Sequence, residues 1–229
     1  MSLHWFFVSG TDTDVGKTLV ASGLLKLANK RGLRTAAIKP VAAGCSLREG
    51  VLKNSDALQL QGACSYSLSY QQVNPIALRA PIAPHIAAEE DGIAFSAEEL
   101  IDHCLTFTNL PVDTVIVEGA GGWRVPIGIE ETMSDVAVGL SCQVILVVGM
   151  RLGCLNHAVL TREAICRDGL AIAGWVANIL EPEMPRLQQN IATLNELFEE
   201  PCLGVVPRLA DPTGDSAAVH LKLPDTLEF

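Results

Sequence analysis

Short apolar segments alternate along the chain with longer segments whose apolar positions recur every three or four residues. The short segments are rich in Val, Ile and Leu, which is typical of buried strands, and the longer ones are typical of helices that cover a sheet. This alternation predicts strand–helix–strand units and an α/β fold with a mainly parallel sheet and helices on both faces. Because no repeat or polar linker interrupts it, we expect a single domain over residues 1–229.

The elements follow from this pattern. Strands are predicted at about Leu3–Ser9, Thr35–Lys39, Thr114–Glu118, Val144–Val148, Ile172–Asn178 and Leu203–Val206. Helices are predicted at Lys17–Lys30 and Ser96–Phe107, and near Ser55–Gly62, Ser134–Leu140, Asn156–Asp168 and Pro185–Phe198. Gly32 ends the first helix, and Ser96 and Glu99 have the spacing of a capping box. The weakly periodic segments Pro40–Leu52 and Ser65–Pro84 are expected to be ordered loops.

Composition narrows the class of partner. The formal net charge is −10, and no run of Lys and Arg offers the surface that nucleic-acid binding requires. No apolar run reaches the roughly 18 residues of a membrane span, and the first residues lack the basic segment of a signal peptide. We therefore expect a small-molecule ligand, with neither nucleic acid nor membrane as a partner.

The cysteines indicate the redox compartment. There are seven, an odd number, and none are spaced C-x-x-C. Scattered cysteines of this kind are typical of reduced, mostly buried thiols, so the sequence predicts a cytoplasmic protein.

The segment GTDTDVGKT, Gly10–Thr18, lies between the first predicted strand and the first predicted helix. It ends like a phosphate-binding loop, but five residues separate its glycines where the common pattern has four. In this position backbone N–H groups and the helix N-terminus attract an anion, Lys17 reaches the outer phosphates of a nucleotide, and the Thr18 hydroxyl binds Mg²⁺. The alternative is a tight turn followed by a solvated lysine.

Three charged residues lie where the carboxyl edge of the sheet is expected. Glu118 ends the apolar strand DTVIVE and precedes Gly-Ala-Gly-Gly, and Lys39 closes the second strand. Asp56, in KNSDALQL, is either a third member of this group or only a favourable first-turn residue of a helix that Asn54 or Ser55 caps. Two lysines, two carboxylates and a hydroxyl at one edge are typical of phosphoryl transfer to a small acceptor.

These motifs together resemble the dethiobiotin synthetase family, of P-loop NTPase fold. The likeness lies, in order along the chain up to about Leu209, in GTDTDVGKT, IKPVAAG, KNSDALQL, VNP, APIAPHI, VEGAGGWRVP, VILVVGMRLGCLNHAVLT, AGWVAN and VPRL. The five-residue interval is this family's own variant of the loop. The tail after Leu209 matches poorly and carries no expectation.

The resemblance implies an ATP-dependent cyclo-ligase of biotin biosynthesis. In the family, 7,8-diaminononanoate and CO₂ form a carbamate, ATP converts the carbamate to a mixed carbamic–phosphoric anhydride, and the second amine closes the ring with release of ADP and phosphate. Lys17 and Lys39 would be catalytic, and Mg²⁺ would be bound by Thr18, Asp56 and Glu118. ATP would further contact the loop, the glycine segment and the base-binding residues, namely Asp14, Val15, Gly16, Leu19, Gly119, Ala120, Gly121, Asn178, Pro207, Arg208 and Leu209.

The resemblance also implies where the diamine binds. Thr13, Lys39 and Ala43 would contact it in one subunit, and the helix start at Gly153, Cys154, Leu155 and Asn156 would receive its distant carboxylate from the neighbouring subunit of a homodimer. Cys154 is not expected to be a nucleophile, since no step needs a covalent thiol. Ala43 stands where the family often has Ser or Thr, so Cys45 or Ser46 would have to supply that hydrogen bond. Ile179 stands where an acidic residue is common.

Three other functions were compared with this one. A partitioning or metal-delivery ATPase would carry a second lysine in the loop, at the position of Asp12. A ligase of cobyrinate type would need a long C-terminal glutaminase segment, and a binding module would leave the paired lysines and carboxylates without a role. The sequence favours the cyclo-ligase over all three.

Overall fold

The computed structural model describes residues 3–181 and 183–227. Its strands are β1 (His4–Gly10), β2 (Thr35–Ile38), β3 (Val41–Ala42), β4 (Ser46–Arg48), β5 (Val51–Lys53), β6 (Ile76–Ala77), β7 (Thr114–Glu118), β8 (Gln143–Met150), β9 (Ile172–Ile179) and β10 (Cys202–Val206). Its α-helices are α1 (Lys17–Lys30), α2 (Ser55–Ala63), α3 (Tyr70–Val73), α4 (Pro84–Asp91), α5 (Ala97–Leu105), α6 (Met133–Gly139), α7 (Cys154–Arg167), α8 (Leu187–Leu197) and α9 (Gly214–Ala218).

The central sheet has six strands in the order β10-β9-β8-β1-β7-β2, and all neighbours pair in parallel. All five residues of β7 are buried, as expected where helices cover both faces of a sheet. The predicted α/β class and parallel sheet are therefore confirmed.

Chain order reverses at the middle strand. β1 lies between β7 and β8, whereas the helix that follows it, α1, leads to β2 at the sheet edge. Open α/β sheets bind ligands in the crevice beside such a reversal, at the carboxyl ends of the strands. The segments after β1, β7 and β8 all begin at this edge, so the topology brings the sequence motifs together there.

The predicted strands and the six predicted helices are confirmed, with ends that shift by one or two residues at most positions. Ser96 caps α5 in a complete capping box with Glu99, and the following turn, Thr106–Asn109, is a 3₁₀ helix. Gly32, with φ +84°, follows the end of α1 as predicted.

The expectation that the two weakly periodic segments are loops is partly wrong. They contain the short strands β3 to β6 and the single-turn helix α3, which Ser69 and Gln72 cap reciprocally. Sequence periodicity cannot detect elements of two to four residues. Two further helices were not predicted: α4, of eight residues with Pro84 in its first turn, and α9, of five residues.

The tail packs on the first helix. A Cβ added to Gly23 would lie 2.7 Å from Leu221 Cδ1 and 3.0 Å from Ala217 Cβ, so α1 and α9 approach closely only because residue 23 is glycine. Lys222 also donates a backbone hydrogen bond to Leu203 in β10 at 2.7 Å. The segment after Leu209 thus covers one end of α1 and the sheet edge.

All seven cysteines are free thiols, and four of them are buried, as predicted. Within residues 3–181 and 183–227, no helix is long and apolar enough to cross a membrane.

Candidate active site

The loop between β1 and α1 is a turn at the carboxyl edge of the sheet. Thr11 donates its backbone N–H to Val147 of β8 at 3.0 Å, which ties the start of the loop to the neighbouring strand. Asp14 and Gly16 have positive φ values, +57° and +87°, and Gly16 is the N-cap of α1 without any side-chain cap. The first N–H groups of α1 therefore lack a side-chain partner and are available to an anion.

Lys17, in the first turn of α1, is buried, and its Nζ donates to the carbonyl of Asp12 in the same loop at 3.1 Å. Burial lowers the pKa of Lys17 to about 8, although the Glu118 carboxylate opposes this shift and the Lys39 ammonium adds to it. The buried Lys17 ammonium has a single carbonyl partner here, so it can also bind an anion such as a phosphate group.

Lys39, directly after β2, lies between two carboxylates. Its Nζ is 2.6 Å from Glu118 Oε1 and 3.3 Å from Asp56 Oδ2, and its side chain is only 6% exposed. Burial alone would lower the pKa of Lys39, but Glu118 and Asp56 outweigh it and raise that pKa above the ordinary value. Lys39 is therefore a fixed, protonated cation at the centre of the crevice.

Glu118, at the end of β7, contacts both Lys39, which follows β2, and Thr18, in the first turn of α1. Its Oε1 accepts hydrogen bonds from Lys39 and from the Thr18 hydroxyl, the latter at 2.8 Å. Its Oε2 is buried and has no hydrogen-bond partner among the described residues. A buried carboxylate oxygen of this kind costs free energy unless a ligand or water reaches it.

These side chains have the donor chemistry of a magnesium site. Mg²⁺ binds nucleotides through one or two carboxylates, a loop hydroxyl, phosphate oxygens and waters. Glu118, with its unpartnered oxygen, Thr18 and Asp56 supply this set. Within the described residues no group of three or more His, Cys, Asp and Glu side chains that could hold a metal ion is found.

The contacts of Asn54 show which of its two expected roles Asp56 has. The Asn54 side chain accepts hydrogen bonds from the N–H groups of Asp56 and Ala57, at 2.9 and 3.3 Å, so Asn54 caps α2 and Asp56 lies in its first turn. The Asp56 carboxylate also pairs with Lys39, so Asp56 is both a first-turn residue of α2 and a member of the charged group at the sheet edge.

The glycine segment after Glu118 closes on the phosphate loop. Gly119 donates to Val8 of β1 at 3.1 Å, and a Cβ at this position would lie 2.9 Å from the Phe7 ring. Gly121 has φ +61°, and a Cβ there would lie 3.4 Å from the Thr13 hydroxyl. Gly119–Gly121 and Thr13 therefore face each other across the crevice.

Asn178 lies next to the phosphate loop. It is buried near the end of β9, and its Nδ2 donates to the Val15 carbonyl at 2.8 Å. A Cβ added to Gly16 would lie 2.2 Å from Asn178 Nδ2, so a larger residue at position 16 would collide with this side chain. Pro207, Arg208 and Leu209 follow the adjacent strand β10, and Arg208 donates to the Leu180 carbonyl at 3.0 Å. The predicted base-binding residues thus share one side of the loop.

The start of α7 follows β8, which lies between β1 and β9 in the sheet. Gly153, with φ +93°, is its N-cap without a side-chain cap, Cys154 is buried, and Leu155 and Asn156 lie in the first turn. No hydrogen bond or ion pair among residues 3–181 and 183–227 joins this segment to Lys17, Lys39 or Glu118. Burial raises the pKa of Cys154, which agrees with the expectation that it is no nucleophile.

The surroundings of Ala43 show where the two candidate replacements, Cys45 and Ser46, lie. The Ala43 carbonyl accepts from Asn54 Nδ2 at 3.1 Å, and the buried Cys45 directs its thiol to the Ala42 carbonyl at 3.2 Å. Ser46 is exposed in β4. The Cys45 thiol therefore already has an acceptor within its own turn.

Sequence reasoning missed Arg151. This side chain, just after β8, forms an ion pair with Asp12 of the phosphate loop, and the same carboxylate accepts from the Thr13 backbone N–H at 2.7 Å. Arg151 belongs to the predicted motif segment, but only the fold shows that it reaches across to the loop.

Comparison with known proteins agrees with this geometry. The AAA domain family model matches residues 4–216. A protein of Cellvibrio japonicus named ATP-dependent dethiobiotin synthetase BioD is 54% identical over 228 residues, which is 100% of both chains. Proteins of the same name from Pseudomonas paraeruginosa and Chromohalobacter salexigens are 55% and 48% identical, and the matches cover 95% and 96% of this chain and 96% and 98% of their own.

Solved structures support the fold alone. The signal recognition particle receptor FtsY of Elizabethkingia anophelis in complex with GDP has a TM-score of 0.58 at 13% identity, with 100% of this chain and 62% of that chain covered. The MinC:MinD cell division protein complex of Aquifex aeolicus also gives 0.58 at 13% identity, over 94% of this chain and 87% of the other. With half of its residues identical to relatives over its whole length, the chain belongs to the ATP-dependent dethiobiotin synthetase family.

Proposed function

We propose that this chain uses ATP, with Mg²⁺, to carboxylate 7,8-diaminononanoate with CO₂ and close the ring to dethiobiotin, giving ADP and phosphate. The observation that carries the proposal is the group at the crevice centre. Lys39 lies between Glu118 and Asp56, while the Thr18 hydroxyl binds the same Glu118 oxygen. Such a group suits phosphoryl transfer, which depends on positioning and on neutralising charge.

The nucleotide would lie along the loop. The free N–H groups of α1 and the Lys17 ammonium would bind the β- and γ-phosphates, and Asp14, Val15 and Leu19 would line the same turn. Asn178 would read the base edge, because its Nδ2 already bonds to Val15 while its amide oxygen is left to accept a hydrogen bond. Pro207 to Leu209 would flank the purine, and Gly119 to Gly121 would let backbone approach the phosphates.

Magnesium would be held by Thr18, Asp56 and Glu118. Bound there, the ion would neutralise charge on the transferring phosphate. Glu118 Oε1 accepts from Lys39 and Thr18, and its unpartnered Oε2 would be the oxygen that remains for the ion.

The groups that lose protons in this reaction are the two amines of the diamine. One neutral amine of the diamine attacks CO₂ and loses a proton, which gives a carbamate. A carbamate oxygen then attacks the γ-phosphorus and ADP leaves. The second amine, also neutral, attacks the carbamoyl carbon, the C–O bond to phosphate breaks as the ring closes, and the amine proton leaves with the phosphate. Lys39, fully protonated, would stabilise the carbamate and the transferring phosphoryl group, and Thr13 and the Ala43 segment would orient the diamine.

The distant carboxylate of the diamine would bind at the start of α7. Its N-terminal N–H groups at Gly153 to Asn156 have no side-chain cap, which suits an anion. We propose that this segment serves the site of a second copy in a homodimer; among the described residues it has no hydrogen bond or ion pair with Lys39. Leu152, beside it, is 92% exposed, which supports a contact surface there. The free thiols support a cytoplasmic location.

The test is a reconstituted reaction. Purified chain with ATP, Mg²⁺, bicarbonate and 7,8-diaminononanoate should release one phosphate for each cyclic urea formed. Hydrolysis of ATP at a rate that does not depend on the diamine would refute the ligase function. Sedimentation of the chain alone would test the homodimer separately.

A further inference from the structure

The Tyr70 hydroxyl, at the start of α3, joins two segments that carry active-site side chains. It accepts a hydrogen bond from the Asn54 backbone N–H at 2.7 Å and donates to Asn74 Oδ1 at 2.8 Å. Asn74 is buried, and its Nδ2 donates to the carbonyl oxygens of Lys39, at 2.8 Å, and Ile76, at 3.0 Å. The Tyr70 hydroxyl is thus hydrogen-bonded directly to Asn54, which caps α2, and is connected to the Lys39 carbonyl through Asn74.

Both ends of this connection are themselves fixed. The Lys39 backbone N–H donates to Val73 at 2.7 Å, so both peptide groups of Lys39 are bound by residues 73–74. At the other end, Asn54 caps the turn that carries Asp56. A shift of the Tyr70 hydroxyl would therefore change the separation of the segments that hold Lys39 and Asp56.

The start of α2 is also held by the hydrogen bond from Asn54 Nδ2 to the Ala43 carbonyl at 3.1 Å, which does not involve Tyr70. The Asp56 side chain is 43% exposed and meets Lys39 at 3.3 Å, whereas the Lys39–Glu118 contact is shorter and buried. The position of Asp56 consequently depends on the backbone at the start of α2. A displacement of about 1 Å at a catalytic group can cost roughly 100-fold in rate.

The hydroxyl uses both of its hydrogen-bonding capacities here, since it accepts from one segment and donates to the other. Burial raises the pKa of Tyr70, so the phenol keeps its donor proton at neutral pH. Phenylalanine would fill the same volume and remove both bonds.

We propose that Tyr70 is a positioning residue, whose hydroxyl sets the distance between Lys39 and Asp56 for phosphoryl transfer. The inference rests on the proposed function for those two side chains. The chain's other tyrosine, Tyr66, offers a matched control: it also packs against the core, and no side-chain hydrogen bond of its hydroxyl occurs within the described residues.

The kinetic test compares Tyr70→Phe with Tyr66→Phe in the complete reaction. We expect Tyr70→Phe to lower kcat about 10-fold with the KM for ATP within about twofold, and Tyr66→Phe to leave both unchanged. Because Tyr70 acts through Asp56, adding Tyr70→Phe to Asp56→Asn should cost little beyond Asp56→Asn alone. Unchanged kcat in Tyr70→Phe, or fully additive losses, would overturn the inference.

Hydrogen exchange tests the connection without relying on the reaction. In Tyr70→Phe the amides of Asn54, Lys39 and Asp56 should exchange faster than in wild type, with the rest of the sheet unaffected, and Tyr66→Phe should show no such change. Equal exchange in the two variants overturns the inference whatever the activity. A wild-type chain that fails to turn over the diamine would refute the proposed function but leave this exchange result to stand.

Discussion

The Lys39 ammonium lies 2.6 Å from Glu118 Oε1, and both side chains are buried. Such a pair is costly to desolvate and is a weak source of stability. Here it occupies the place where the nucleotide phosphates and the carbamate are expected to meet. The pair is better explained by catalysis than by folding.

Replacement of Lys39 by Ala should therefore affect turnover more than nucleotide binding. Loss of one preorganised charge at a developing anion costs roughly 100- to 1,000-fold in kcat, and we expect a loss in this range. The ATP dissociation constant, measured by calorimetry with Mg²⁺, should change less than about fivefold because Lys17 and the loop remain. Equal losses in kcat and in affinity would show that Lys39 serves binding instead.

Lys17 should destabilise the empty protein at neutral pH. Its pKa falls from 10.5 in the unfolded chain to about 8 in the fold because burial disfavours the charge. Below pH 8 both states are protonated and the cost is constant. Between pH 8 and 10.5 the unfolded state binds more protons, so stability rises with pH across this window. The shift from 10.5 to about 8 corresponds to roughly 3 kcal/mol.

Lys17→Met should accordingly unfold at higher urea than wild type at pH 7, with the difference shrinking towards pH 10.5, while ATP binding is lost. Lys26→Met is the matched control, since Lys26 lies on the same helix and donates to the Gly62 carbonyl from an exposed position. A loss of stability in Lys17→Met at pH 7 would contradict the assigned burial cost.

Asn178→Asp tests the base-binding side. The substitution removes the N–H group that donates to the Val15 carbonyl and puts a carboxylate oxygen against it. An unsatisfied or repulsive contact of this kind costs about 1–3 kcal/mol, so ATP affinity should fall about 10- to 100-fold with little change in kcat at saturation. Asn190→Asp removes a similar but exposed bond to the Arg186 carbonyl and should have no effect on affinity.

Much of this site follows from the sequence, because its residues come directly after apolar strands. Lys39 directly follows β2 and Glu118 is the last residue of β7, and parallel strands bring their carboxyl ends to one edge, so the order of motifs was enough to predict that the two would meet. The capping role of Asn54 was one of two alternatives, and only the observed bonds decided it. Capping contacts of this kind are local, since Asn54 binds the N–H groups of residues two and three positions further on.

What the sequence could not predict depends on long-range packing or on very short elements. The pairing of Asp12 with Arg151 joins residues 139 positions apart, and no periodicity connects them. Tyr70 belongs to a helix of four residues inside a segment expected to be a loop, so its link to Lys39 was invisible. The roles assigned to the site residues, and the single-domain reading, stay predictions.

The Asp12–Arg151 pair leads to the last prediction. The Asp12 carboxylate also holds the Thr13 N–H, so Arg151→Met should release the part of the loop expected to contact the diamine. Lys17 binds the Asp12 carbonyl and the phosphate contacts use other N–H groups, so ATP affinity should stay within about twofold while the KM for the diamine rises about 10-fold. Arg162→Met, which breaks the 2.7 Å pair with Glu200 further along α7, is the control and should change neither value. If Arg151→Met weakens ATP and diamine binding equally, the pair supports the whole loop rather than its substrate side.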